Sequence, residues 1–142
     1  MTKPTRLVPA LSEAEKALVR SMVTEAEVQL LRRIRAYLDR GRPLATLPVL
    51  SLRAQWIDTY IAISVRDDDS RAQEFTDLRT EFDLRGLDTP ARQVLPEVTR
   101  LDERFRKERR RRKPDAAVLE RFNGELDALC DRLMAEDRAL AG

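Results

Sequence analysis

A chain of 142 residues that is 42% hydrophobic, 37% charged and only 5% aromatic, with four glycines, fits one folded domain with a modest core under a heavily charged surface. Its single cysteine, Cys130, excludes an internal disulfide, and the absence of histidine removes the commonest metal ligand and general base. The formal charge of +2 hides an asymmetry: RKERRRRKP, residues 106–114, carries seven basic side chains and one acid, and the remaining 20 basic and 24 acidic residues leave the rest at −4.

The N-terminal stretch MTKPTRLVPALSEAEK has no continuous apolar run and no small-residue cleavage pattern, and residues 1–11 are expected to form a flexible arm. No stretch approaches about eighteen apolar residues. The chain is therefore expected to be neither secreted nor membrane-spanning, with a cytoplasmic address. Ser12 and Glu15 form a capping-box pattern, and Val19, Val23, Ala26, Leu30, Ile34 and Tyr37 follow at three- and four-residue spacing. This predicts a first helix over 12–40 with one buried stripe, stopped by Gly41-Arg42-Pro43. Residues 43–50, PLATLPVL, read as an extended apolar connector.

From Ser51, the residues Leu52, Trp56, Tyr60 and Ile63, widened by Ile57 and Ile61, predict the most deeply buried helix. Asp67, Asp68, Asp69 and Ser70 make a polar break suited to capping a third helix over 70–84, in which Phe75, Leu78 and Phe82 share a face before Gly86. Thr89-Pro90 is a cap-then-proline start for a fourth helix with Val94, Val98, Leu101 and Phe105 as its stripe. Pro96 falls inside that pattern, so the helix is expected to begin near Leu95 or to kink. Asp115 caps a fifth helix on which Leu119, Phe122, Leu126, Leu129 and Leu133 step by three and four, and Leu140 can extend that seam. No repeat and no strand is evident, and the expected fold is a single all-α domain of five helices.

The basic run is the feature most in need of a role. Five successive helical positions from Arg109 to Lys113 would point around the whole axis, so the helix is expected to leave the bundle near Phe105 and project its basic end. Cations in a last turn complement the helix dipole, and acids four residues upstream would pair Asp102 with Arg106, Glu103 with Lys107 and Glu108 with Arg112. Arg109, Arg110, Arg111 and Lys113 are left without a local acid, which points to a polyanion. Seven phosphate contacts would give a log-log salt slope of about −5 to −6, with affinity but no sequence preference. Arg32, Arg33, Arg35, Arg40 and Arg42, opposed locally only by Asp39, form a second cluster that reads either as a solvated helix face or as a second wall of one groove. Of the 27 basic residues 23 are arginine; a GC-rich genome would produce the same excess through codon usage, while arginine also suits phosphate forks.

Other patterns favour structural roles. Asp67, Asp68 and Asp69 lack the spaced ligands of a calcium loop, Cys130 has no histidine to activate it, and Trp56 and Tyr60 lie in the most apolar helix. No phosphate-cradling loop, nucleophile elbow or zinc spacing is present. Nothing argues for catalysis, and no cofactor or metal is expected.

Two resemblances follow. A small, all-helical, arginine-rich chain without catalytic residues resembles the small helical subunit of CRISPR ribonucleoprotein effector complexes, which implies an antiviral-defence assembly and contacts to RNA or displaced single-stranded DNA through basic side chains. The segment GLDTPARQVL, through Gly86, Leu87, Thr89, Pro90 and Arg92, is similar to a segment of some phage terminase small subunits, although Asp88 is inserted relative to that pattern. The expected function is thus a non-enzymatic nucleic-acid-binding subunit of a larger nucleoprotein complex, with other subunits and self-association through helices as its protein contacts. The alternatives are a helical adaptor or inhibitor docking on an acidic partner, and a terminase-like DNA-binding protein.

Overall fold

A computed structural model describes residues 11–141, so all of the expected N-terminal arm except Leu11 lies outside it, as do the side chains of Val23 and Ala141. The described residues form five α-helices and no strand: α1 Glu13–Asp39, α2 Val49–Ser64, α3 Ala72–Arg85, α4 Ala91–Arg109 and α5 Ala116–Ala141, with a 3₁₀ turn Asp69–Arg71 leading into α3.

Local chemistry sets most boundaries. Ser12 and Glu15 close the capping box of α1 reciprocally, each side chain accepting the other's backbone N–H at 3.1 Å. The Asp68 carboxylate accepts from Ser70 N–H and hydroxyl to start the turn before α3, with Asp67 in the left-handed region at φ 52°. Gly86 ends α3 at φ 66°, a conformation costly for any residue with a Cβ. Asp115 accepts from Ala117 N–H at 2.8 Å to start α5.

The core lies among α2, α3, α4 and α5, with α2 touching all three others. Leu52, Trp56, Ile57 and Ile61 of α2 meet Leu78 and Phe82 of α3, Val94, Val98, Leu101 and Phe105 of α4, and Phe122, Leu126, Leu129 and Leu133 of α5. Each such side chain contributes roughly 1.5–3 kcal/mol by leaving water. The stripes expected on α4 and α5 are thus the buried ones, except that Leu119 is half-buried and Leu140 is exposed.

Three expectations are corrected. The connector is not extended: residues 43–46 turn, after Gly41 and Arg42 reverse the chain at φ 86° and 51°, and α2 starts two residues early at Val49. The Arg85 guanidinium donates to the carbonyls of Leu44, Ala45 and Leu47, which holds that reversal against α3. Second, a start of α4 near Leu95 is overturned: the helix begins at Ala91, directly after Thr89-Pro90 as that pair predicts, and runs through Pro96, where both Pro96 and Arg92, whose carbonyl loses its donor, lie on the solvent side and water can replace the missing bond.

The third correction concerns α1. Of its expected buried stripe only Tyr37 is buried and Ile34 half-buried; Val19, Ala26 and Leu30 are exposed, and Val23 lies outside the described side chains. Helix α1 touches α3 alone, through its last turns, so there is nothing for the first turns to bury against.

Candidate nucleic-acid interface

The arginines of α1 and its C-terminal turn serve the fold first. Arg40 Nη1 donates to both Asp77 oxygens at 2.8 and 3.0 Å. The Arg42 fork donates to both Glu81 oxygens at 3.0 and 2.7 Å, a bidentate pair of the stronger kind. Glu81 is fully buried and also accepts from the Tyr37 hydroxyl and from Arg85 Nε, each at 2.6 Å. Burial alone would push its carboxyl up; the hydrogen bonds from Arg42, Tyr37 and Arg85 outweigh it and hold the group at about 2. The same burial, together with Glu81, pushes the Tyr37 phenol up to about 12. Arg33 pairs with Asp83, and Arg35 sits 3.6 Å from Asp39 on the surface. Of the five arginines expected to line a groove, only Arg32 makes no ion pair among the described residues. Arg33, Arg40 and Arg42 of that cluster thus clamp α1 to α3, while Arg32 and Arg35 stay exposed.

The second cluster is arranged differently from the projecting helix end expected. Helix α4 stops at Arg109, so Arg110 to Lys113 are not helical and do not splay around an axis; they form the corner into α5. Nor is Arg109 spare. Its guanidinium turns back on the bundle, pairs with Asp102, donates to the Val65 carbonyl at 2.9 Å and lies 4.2 Å from the Phe122 ring centroid. Asp102 is thereby taken by Arg109 rather than by Arg106, and Glu108 pairs with Arg111 at 3.1 Å rather than with Arg112. The second change follows from the helix end, which removes the four-residue geometry Glu108 and Arg112 need, whereas Asp102 and Arg106 both lie within α4 and there Arg109 takes the carboxylate.

Arg106, Lys107, Arg110, Arg112 and Lys113 are exposed and make no ion pair among the described residues. Arg111, 58% exposed, keeps most of its guanidinium in water despite its surface pair with Glu108. Arg121 also belongs here: it sits 5.8 Å from the Phe105 ring, exposed and without an ion pair among the described residues, just beyond the corner on α5. Its place one residue before the seam residue Phe122 was the available signal. The two arginine clusters sit on different parts of the bundle: α1 touches only α3 among the helices, while the corner packs on α2 and α5.

Comparison with protein-family models, curated proteins and solved structures finds no match to this chain. The site is thus judged on its chemistry.

The remaining candidates are structural. Trp56 is buried and stacks on Tyr60 with ring centroids 5.2 Å apart, so its face is occupied. The half-buried Cys130 thiol is pushed up to about 11 by burial, then by Asp58 and Asp131, and stays protonated at neutral pH. Among the described residues no helix is long and apolar enough to cross a membrane. What the α4–α5 corner offers is a compact set of solvated cations anchored to the core by Arg109.

Proposed function

We propose that the α4–α5 corner binds the sugar-phosphate backbone of nucleic acid, and that the chain acts as a non-enzymatic, cytoplasmic subunit of a nucleoprotein assembly. The observation that carries this reading is the crowding of Arg106, Lys107, Arg110, Arg112 and Lys113 at one corner with no acid taking up their charge among the described residues. Like charges at such spacing repel, and a polyanion offsets that cost while releasing counterions. Two free cations would serve the dipole of α4; five exceed what it can use. The role is the one expected from the likeness to small helical effector subunits, with weak single contacts strengthened by neighbours in an array.

The test is fluorescence anisotropy with single-stranded RNA, single-stranded DNA and duplex of several sequences at low and rising salt. Five contacts give a log-log slope of about −3.5 to −4.5. Replacing Arg110, Arg112 and Lys113 by alanine should weaken binding equally across sequences and flatten the slope by about 2 to 3, with an unchanged circular dichroism spectrum. Equal affinity of wild type and variant for every nucleic acid at low salt would sink the proposal. A stable complex with an acidic protein, without any nucleic-acid shift, would favour the adaptor reading instead.

A further inference from the structure

A groove runs between α4 and α5 one turn short of their basic corner. Arg100, Arg104 and Lys107 of α4 repeat at four and three, and Arg121, Glu125, Ala128 and Arg132 of α5 at four, three and four, so each set lies along one side of its helix. Two ion pairs set these sides edge to edge: Arg104 donates to Glu125 and Arg132 donates to Glu97, each at 3.2 Å. Between them lies an open cavity of about 320 Å³, at the small end of the range of roughly 300–1,000 Å³ for ligand sites. Lys107 stands about 4.5 Å further along α4 than Arg104, in the direction of the corner.

The lining selects the ligand. Leu101, Ala128 and Leu129 give the groove apolar surface, and the carboxylates of Glu97 and Glu125 disfavour a phosphate inside it. Arg100 and Arg132 both donate to Glu97 Oε2, at 3.3 and 3.2 Å, and their side chains are 68% and 49% exposed. A guanidinium that holds a carboxylate in its plane keeps its faces for stacking on a flat ring. Glu125 Oε2 is shielded from water and accepts from no group among the described residues, a cost that a ring N–H or an amino group would remove. A flat, uncharged ring with donors on its edge, flanked by negative charge that the corner takes up, is a base of a polynucleotide.

We infer that the α4–α5 groove receives one unstacked base of a single strand whose phosphates lie on the corner. Arg100 and Arg132 stack on the base, Leu101 and Leu129 support it, and Glu125 accepts from its edge. The inference rests on the reading of the corner as a phosphate site and adds a reason to prefer a single strand, since a duplex keeps its bases stacked inside. Because Arg100 and Arg132 keep Glu97, the groove adds affinity without steepening the salt slope.

Fluorescence anisotropy at low salt tests it by comparing a labelled single strand with an abasic strand of the same length. The base-bearing strand should bind wild type about five- to hundredfold more tightly, the range that base stacking on side chains provides, and the two should share one salt slope. Ala128→Leu fills the groove from an exposed position of α5, and Arg100→Lys with Arg132→Lys keeps the charge but loses the flat faces. Each variant should remove that ratio while leaving the abasic strand's affinity and the circular dichroism spectrum unchanged. Equal wild-type affinity for the two strands, or a ratio that survives both variants, would overturn the base site and leave the phosphate site standing. Absence of binding to either strand would instead sink the phosphate site, and the base site with it.

Discussion

Two arginines three residues apart have opposite assignments, and that contrast is testable. Arg109 spends its charge on Asp102, the Val65 carbonyl and the face of Phe122, whereas Arg112 stands in water. Replacing Arg109 by alanine should lower stability to urea by about 1.5–3 kcal/mol, since a hydrogen-bonded charge and a half-buried ring contact are lost together. Arg112→Ala should stay within about 0.5 kcal/mol of wild type while weakening nucleic-acid binding. Glu81 sets a pH dependence. Its folded pKa of about 2 lies below the ordinary 4.5, so the stability it contributes is complete above pH 4.5 and is lost as pH falls from there through about 2. Glu81→Gln should cost about 3 kcal/mol at pH 7, by leaving the charges around it unpaired, and should flatten the loss of stability across that acid window in urea titrations. None of these assignments could be read from the chain. Local spacing supplies partners three or four residues away, while Arg42 finds Glu81 at a separation of 39 and Arg109 finds Val65 at 44.

At the level of elements, periodicity and capping chemistry were enough to place five helices. The capping box at Ser12, the left-handed Gly86 and the Asp115 cap each act within four residues, which is why they were legible. The seam of α5 was legible for a related reason, since a three-four repeat of leucine and phenylalanine over four turns has to be buried somewhere. The same reasoning failed for α1, because a repeat shows that a face exists and not which element covers it. Residues 43–46 were misread because their turn depends on Arg85, which lies about 40 positions away. Replacing Leu18 and Met22 by serine should change the stability by less than about 0.5 kcal/mol, measured by urea unfolding, because both side chains stand in water. By contrast, Leu126→Ala, in the middle of the core, should cost about 2–5 kcal/mol.

For the whole molecule, the charge map divides the labour: residues 106–114 carry a net +6 and the rest −4, so approach to a polyanion is oriented by one corner. That asymmetry was visible in composition alone, whereas the reduction from seven available cations to five required the fold. Binding measured between low and physiological salt should therefore show the slope of five contacts, and a slope near −6 would mean that further cations join them, Arg111 and Arg121 at the same corner first. The rigid clamp of Tyr37, Arg40 and Arg42 on α3 has a consequence for such an encounter. Because α1 leaves the bundle as one continuous helix fixed at its base, it acts as a ruler. Its first residue, Glu13, stands about 36 Å along the helix axis from the clamp at Tyr37, close to one turn of duplex. Lengthening α1 by one heptad at its uncovered middle would carry its first turn about 10 Å further from the clamp, turning reach into a property that can be dialled by residue count.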